Sequence, residues 1–146
     1  MAEPRPAVFD SNVFISSLKG DEKASPACTD LIRRIADGAV RLVEPAVLLA
    51  EVVDAVGRHR SAREARRVEG LLRDMVAHWV VCDVEFCSRA GHTGYAHRIY
   101  GTDALYLQTA LDHGAALVSL DRAHFVQRVK SRGADACSPA EFLLRV

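Results

Sequence analysis

Apolar runs and polar interruptions alternate along this chain on two periods. Ala7, Val8 and Phe9 form a short continuous apolar run that suits a strand buried in a parallel sheet, and Asp10, Ser11 and Asn12 follow at its carboxyl end. Residues 12–18 predict a helix capped by Asp10 or Ser11 and broken by Lys19, Gly20 and Asp21. A second helix starts at Ser25, with Pro26 at its first position, and runs through Leu31, Ile32 and Ile35 to Gly38. Residues 40–43 predict a second strand. Pro45 then opens a helix, AVLLAEVVDAVGRH, that is apolar on most of its circumference and is expected to be largely buried.

Over residues 61–78, Val68, Leu71, Leu72, Met75 and Val76 recur at helical spacing, which predicts an amphipathic helix. A third strand is expected at residues 79–82, a helix with a break near Gly91 to Gly94 at 84–99, and a helix stopped by Gly114 at 102–113. Residues 115–120 predict the fourth strand, 122–131 a helix, and 134–137 an edge strand before a short tail containing Phe142 and Leu143. Strands alternating with helices imply βαβ units and right-handed crossovers. The fold class expected is therefore a three-layer α/β/α sandwich around a mainly parallel sheet of four or five strands. At 146 residues the chain suits one domain, residues 1–146, that buries about 70% of its unfolded surface.

Composition changes this picture little. Apolar residues are 49% and charged residues 26% of the chain, which points to neither disorder nor a membrane protein. The 19 basic and 19 acidic side chains cancel, so any contact with nucleic acid must rest on a local patch. One candidate lies between Arg58 and Arg73, where Arg58, Arg60, Arg63, Arg66, Arg67 and Arg73 face only Glu64 and Glu69, a net charge of +4. Its plain alternative is a solvated helix face with Arg60–Glu64 and Glu69–Arg73 pairs. Arg98 and Arg122, with His92, His97 and His124, lie nearer the acidic segments in sequence and are alternative phosphate contacts. The opening MAEPRP lacks a long apolar run and does not read as a secretory signal, so a cytoplasmic location is expected. Cys28, Cys82, Cys87 and Cys137 lack metal-ligand spacing and read as small buried apolar residues.

Four acids stand out by their placement. Asp10 ends the first strand, at the edge where open α/β sheets bind ligands. Glu51 has Val47, Leu48 and Ala55 one turn away on its own helical face. Burying it alone costs several kcal/mol or raises its pKa, and no Lys or Arg lies at the adjacent helical positions. A metal ion or a group from elsewhere in the chain is expected to compensate it. Asp103 opens the helix GTDALYLQTAL, whose face continues through Tyr106, Leu107 and Ala110, and Asp121 follows the apolar strand AALVSL. If the first and fourth strands are neighbours, the four acids can converge, and a hard divalent cation with oxygen ligands relieves their repulsion. Taken singly, Asp10 and Asp121 read as helix caps, Asp103 as a first-turn acid and Glu51 as the edge of a buried face.

The segments AVFDSNVFIS, LAEVVDAV, GTDALYLQTAL and LVSLDRAHF, in this order, resemble the PIN domain ribonucleases, especially the VapC-like toxins of toxin-antitoxin modules. The resemblance covers residue 7 to about residue 130. By it, Asp10, Glu51, Asp103 and Asp121 match the family's four catalytic acids, which bind Mg²⁺ or Mn²⁺. Ser11 and Asn12 match its D-[ST]-[NS] segment, and Ser119 matches a small hydroxyl residue two before the last acid, where Thr is more usual; such residues hold the carboxylates in place. The resemblance implies an endoribonuclease that hydrolyses phosphodiesters by in-line attack of an activated water. Asp10, Glu51 and Asp103 are the leading ligands, and Asp121 completes a second ion site or positions the water. It also implies a cognate antitoxin and a homodimer; for the RNA itself, Arg58, Arg60, Arg63, Arg98 and Arg122 are the candidate contacts from the charge pattern above. A haloacid-dehalogenase-like phosphatase would need a second Asp where Asn12 stands, and a receiver-like phosphoacceptor would need adjacent acids after the first strand. The remaining alternative is a PIN-like RNA-binding or protein-interaction module without catalysis.

Overall fold

The apolar run near the head of the chain becomes the middle of the sheet. In the computed structural model, which describes residues 3–146, strand β1 (Arg5–Phe9) lies between β2 (Val40–Pro45) and β4 (Ala116–Val118), parallel to both. Ala7 is in register with Leu42 on one side and Ala116 on the other. β3 (His78–Val80) flanks β2 and β5 (Ala136–Cys137) flanks β4, so the order is β3-β2-β1-β4-β5 and every pairing is parallel. Ala7, Val8 and Phe9 are fully buried, as expected of a central strand covered on both faces. The chain winds one way from β1 to β3 and the other way through β4 and β5. The reversal falls between β1 and β4, and the crevice outside the carboxyl ends of these two strands is where such sheets hold ligands.

The helices are α1 (Ser11–Lys19), α2 (Ser25–Ala36), α3 (Val47–His59), α4 (Ala62–Met75), α5 (Val84–His97) and α6 (Gly101–His113). A π-helical turn over Arg122–Val126 then runs into α7 (Gln127–Lys130), and α8 (Pro139–Leu143) closes the chain. Together they flank the sheet as an α/β/α sandwich, with α6 against β1, β2 and β4 and α2 joined to α1, α8 and β2. Among the described residues no helix is long and apolar enough to cross a membrane.

Several local expectations are corrected. α3 buries only Leu48, Val52 and Val56, because α1 and α4 cover a single stripe of it and leave Val47, Leu49 and Val53 half-buried. α5 passes unbroken through Gly91 and Gly94. Gly94 serves contact instead: a Cβ there would stand 3.1 Å from the Cβ of Ala104, so its absence lets α5 close on α6. α4 ends at Met75 and β3 begins earlier than the apolar run suggests, since the Ala77 amide already donates to the Leu42 carbonyl at 2.9 Å. The helix expected from Arg122 opens as a wide turn, with the Val126 amide reaching back to the Asp121 carbonyl (3.0 Å). The supposed tail is core. Phe142 is fully buried with its ring edge-on to Phe9 at 6.0 Å, and Ser138 caps its helix by accepting from the Glu141 amide. Of the cysteines, Cys28 and Cys137 are buried, Cys82 is partly covered, and Cys87 is exposed on the outer side of α5.

Candidate active site

Backbone pairing draws the ends of β1 and β4 together. The Asp10 amide donates to the Val118 carbonyl at 2.9 Å, which fixes the start of α1 beside the segment that carries Ser119 and Asp121. The Asp10 carboxylate is 6% exposed and does not cap α1. It accepts instead from Ser119 Oγ (2.8 Å) and Asn12 Nδ2 (3.2 Å) on Oδ2, and from Ser11 Oγ (3.4 Å) on Oδ1. Asn12 also bridges to the far segment, giving Nδ2 to Ser119 Oγ (3.2 Å) and taking the Leu120 amide (3.2 Å) on its own carbonyl. The fully buried Ser119 in turn accepts the Asp121 amide at 3.1 Å. Ser11, Asn12 and Ser119 thus all hydrogen-bond the Asp10 carboxylate. Burial pushes the Asp10 carboxyl up to about 6, against the pull of Ser119 and with a push from the Glu51 charge.

Glu51 is half-buried on α3, and its hydrogen-bond partner from elsewhere in the chain is a phenol. Tyr106, fully buried on α6, donates its hydroxyl to Glu51 Oε1 at 2.5 Å. Burial and the Glu51 charge hold that hydroxyl above the ordinary phenol range, so it stays a donor. Asp103, in the first turn of α6, is raised to about 7, first by burial and then by the charges of Asp10, Asp121 and Glu51. Asp103 is thus close enough to the other three acids to feel their charges. Asp121 does what its plain reading anticipated: Oδ1 accepts the His124 amide at 3.0 Å and caps the π-helical turn. It is nevertheless among the charges felt at Asp103.

The donor set is all oxygen, which suits a hard divalent cation. Every cause acting on the Asp103 carboxyl raises its pKa, and it accepts no side-chain hydrogen bond among the described residues. Among the described residues, no three His, Cys, Asp or Glu side chains form a group that could hold a metal ion as they stand. An ion such as Mg²⁺, which takes one or two carboxylates directly and keeps several waters, does not need a group of three.

Comparison with known proteins agrees with this fold. The model of the PIN domain family matches residues 7–130. The chain belongs to the PIN domain family. Its fold is similar to a toxin-antitoxin complex from Klebsiella pneumoniae, at 14% identity over 91% of this chain and 97% of that one with a TM-score of 0.65. The sarcin-ricin-loop-cleaving toxin VapC20 of Mycobacterium tuberculosis matches at 12% identity, covering 88% of this chain and 95% of that one, TM-score 0.66. VapBC-1 from nontypeable Haemophilus influenzae matches at 18% identity, covering 92% and 98%, TM-score 0.66. No curated protein sequence matches the chain significantly.

This PIN domain also carries a fifth acid that the sequence reading passed over. Glu44 extends β2 beyond its apolar run and is fully buried. Its Oε1 accepts the Phe9 amide at 2.6 Å, one residue before Asp10, while Oε2 has no partner among the described residues. Burial, aided by the Asp10 charge, holds the Glu44 carboxyl well above the usual carboxylate range. The available signal was an acid inside an apolar strand run, RLVEP, where solvent cannot reach it.

The arginine candidates separate. Arg58 pairs with Asp54 at 3.1 Å and Arg60 donates to the Leu18 carbonyl at 3.0 Å. The expected Arg60–Glu64 pair is absent, because Glu64 binds Arg67 through both carboxylate oxygens; the Glu69–Arg73 pair forms at 3.3 Å. Arg63 and Arg66 stand exposed on α4. Arg122 is tied to Ser138 (3.2 Å) and Glu141 (3.0 Å) of the α8 cap. His92 bonds Tyr95, and His124 sits 3.7 Å from Asp121.

Proposed function

We propose that this PIN domain is a Mg²⁺- or Mn²⁺-dependent endoribonuclease, the toxin of a toxin-antitoxin pair acting in the cytoplasm. What supports the reading is that Asp10 and Asp121 follow the neighbouring strands β1 and β4, that Asp103 feels the charges of Asp10, Asp121 and Glu51, that no lysine or arginine of the described residues pairs with any of the four, and that Asp10 and Asp103 are raised to about 6 and about 7. Such a cluster favours a divalent cation over protons at neutral pH. Asp10, Glu51 and Asp103 would hold the ion, with Asp121 as the fourth acid. When bound, the ion supplies Lewis acidity toward phosphoryl oxygens and lowers the pKa of water. Ser119, Asn12 and Ser11 fix the direction of the Asp10 carboxylate, and Tyr106 fixes that of Glu51. Asp121 keeps Oδ2 outside its cap bond, available to orient a water for in-line attack on phosphorus.

The antitoxin is the partner this reading requires, and the names of the structural neighbours as toxin-antitoxin complexes support it. An open apolar groove between α1, α2 and α4, lined by Phe14, Leu18, Ile32, Val68, Leu71 and Met75, offers it a surface; Leu71 is 47% exposed there. The assembly proposed is a homodimer, as the family resemblance implies.

The purified protein is expected to cut RNA internally in Mg²⁺ or Mn²⁺ and to stop when EDTA is added. Expressed alone it should arrest growth, and co-expression of a neighbouring reading frame should relieve the arrest. RNA binding without cleavage in any divalent metal would convert the reading into a non-catalytic PIN module.

A further inference from the structure

The corner between α5 and α6 holds a second electrostatic feature, opposite in sign to the acidic edge. A cleft there is lined by His97, Arg98, Arg128, Ser131 and Arg132, with no acid in its wall. Among the described residues, none of the three arginines has a carboxylate within ion-pair distance, whereas Arg58, Arg67, Arg73, Arg89 and Arg122 each have one. Unneutralised guanidinium groups sharing one cleft repel one another and favour an anion between them.

The cleft is built rather than incidental. Arg98 closes α5 in the left-handed region (φ 57), the only non-glycine residue there among those described. Glycine is the usual residue at such a helix end, so an arginine at this place sets backbone preference against the presence of its side chain. Arg128 of α7 donates to the Arg98 carbonyl at 2.6 Å and locks the two segments together. His97 donates Nδ1 to the Thr93 carbonyl at 2.9 Å, which fixes its tautomer.

Its position ties it to the acids. Arg98 lies five residues before Asp103 on the same turn into α6, and Arg128 lies on the helix that continues from the turn capped by Asp121. The two segments that deliver Asp103 and Asp121 to the sheet edge therefore also deliver the arginines. Tyr95, one turn before Arg98, and Tyr100, at the start of α6, are 73% and 74% exposed. Arginines with exposed aromatic residues close by in the chain are a combination that suits single-stranded nucleic acid, through phosphate contact and base stacking.

We propose that Arg98, Arg128 and Arg132 form a phosphate-binding subsite for single-stranded RNA flanking the acidic edge, with Tyr100 as a stacking platform; this rests on the ribonuclease reading above. The test measures fluorescence anisotropy of a labelled single-stranded RNA oligonucleotide in EDTA across a salt series, and separately KM and kcat for RNA cleavage in Mn²⁺. The variant is Arg98→Asn with Arg132→Gln, since Asn tolerates the left-handed backbone, and Arg33→Gln with Arg34→Gln on α2 is the charge-matched control. Expected results are at least tenfold weaker binding for the first pair, a salt dependence shallower by about 0.7 in log–log slope per lost phosphate contact, and a raised KM with kcat little changed. Tyr100→Ala should weaken binding without altering the salt slope. Unchanged affinity and KM in Arg98→Asn/Arg132→Gln, or loss appearing instead in Arg63→Gln/Arg66→Gln on α4, would overturn the subsite while leaving the nuclease intact. A wild-type protein that neither binds nor cuts RNA would remove the nuclease reading itself.

Discussion

Carboxylates on α4 and carboxylates at the carboxyl edge of the sheet are treated in opposite ways by the same chain. On α4, Glu64 and Glu69 each meet an arginine of their own helix, and the Arg67 hydrogen bonds hold Glu64 below the usual range. At the edge, Asp10 and Asp103 meet other acids, and burial plus mutual repulsion hold them up at about 6 and about 7. The first arrangement is complete in water and asks for nothing more. The second leaves charge uncompensated inside a fold that gives it no cation, which is the condition under which an added divalent ion gains most.

Breaking the edge should have the largest effect. Asp103→Asn is expected to reduce RNA cleavage by at least about 100-fold in kcat/KM, the scale of losing one electrostatic anchor of a transition state. The same substitution should raise the melting temperature of the metal-free protein, because it removes a repelling charge. A variant that melts lower and still cuts would break the contrast with α4. Ser119→Ala should cost about 10–100-fold in metal affinity or activity, since it frees the Asp10 carboxylate and removes an acceptor from the Asp121 amide.

Smaller effects sharpen the contrast. In EDTA, the folded form binds more protons than the unfolded chain between about pH 4 and pH 7, because the folded pKa values of Asp10 and Asp103 are raised. Their contribution to stability is therefore intact at low pH and lost as pH rises through about 6 to 7. Melting temperature in EDTA should fall from pH 5 to pH 8. A divalent ion at ten times its Kd should restore about 3–6 °C at pH 8 and little at pH 5, as read by thermal melts with and without Mg²⁺ or Mn²⁺. The smallest effect belongs to α4: Glu64→Ala breaks a solvent-exposed pair and should leave the melting temperature nearly unchanged in the same assay.

Glu44 separates the two cases further. It is as fully buried as any core side chain, yet among the described residues one backbone amide is its only donor, and burial raises its pKa well above the usual carboxylate range. Asp10, one residue beyond that amide, keeps three side-chain donors. Two acids so near each other thus differ in how many donors reach them: one for Glu44 and three side chains for Asp10.

Much of this was legible in the residues themselves. Short apolar runs at regular intervals predict the parallel sheet because a strand buried on both faces has no polar side to show. The order of the acidic segments was enough to suggest the family, and Ser11, Asn12 and Ser119 could be named as neighbours of an acid. What linear sequence did not contain is who meets whom. Tyr106 reaches Glu51 from another helix, Gly94 admits Ala104 instead of breaking α5, Phe142 fills the core from beyond the last strand, and Arg98 shares a cleft with Arg128 and Arg132. Periodicity reports which side of an element is apolar, a property of a few neighbouring residues. The compensation of a charge depends on the distance to groups far away in sequence, and only the packed fold sets that distance.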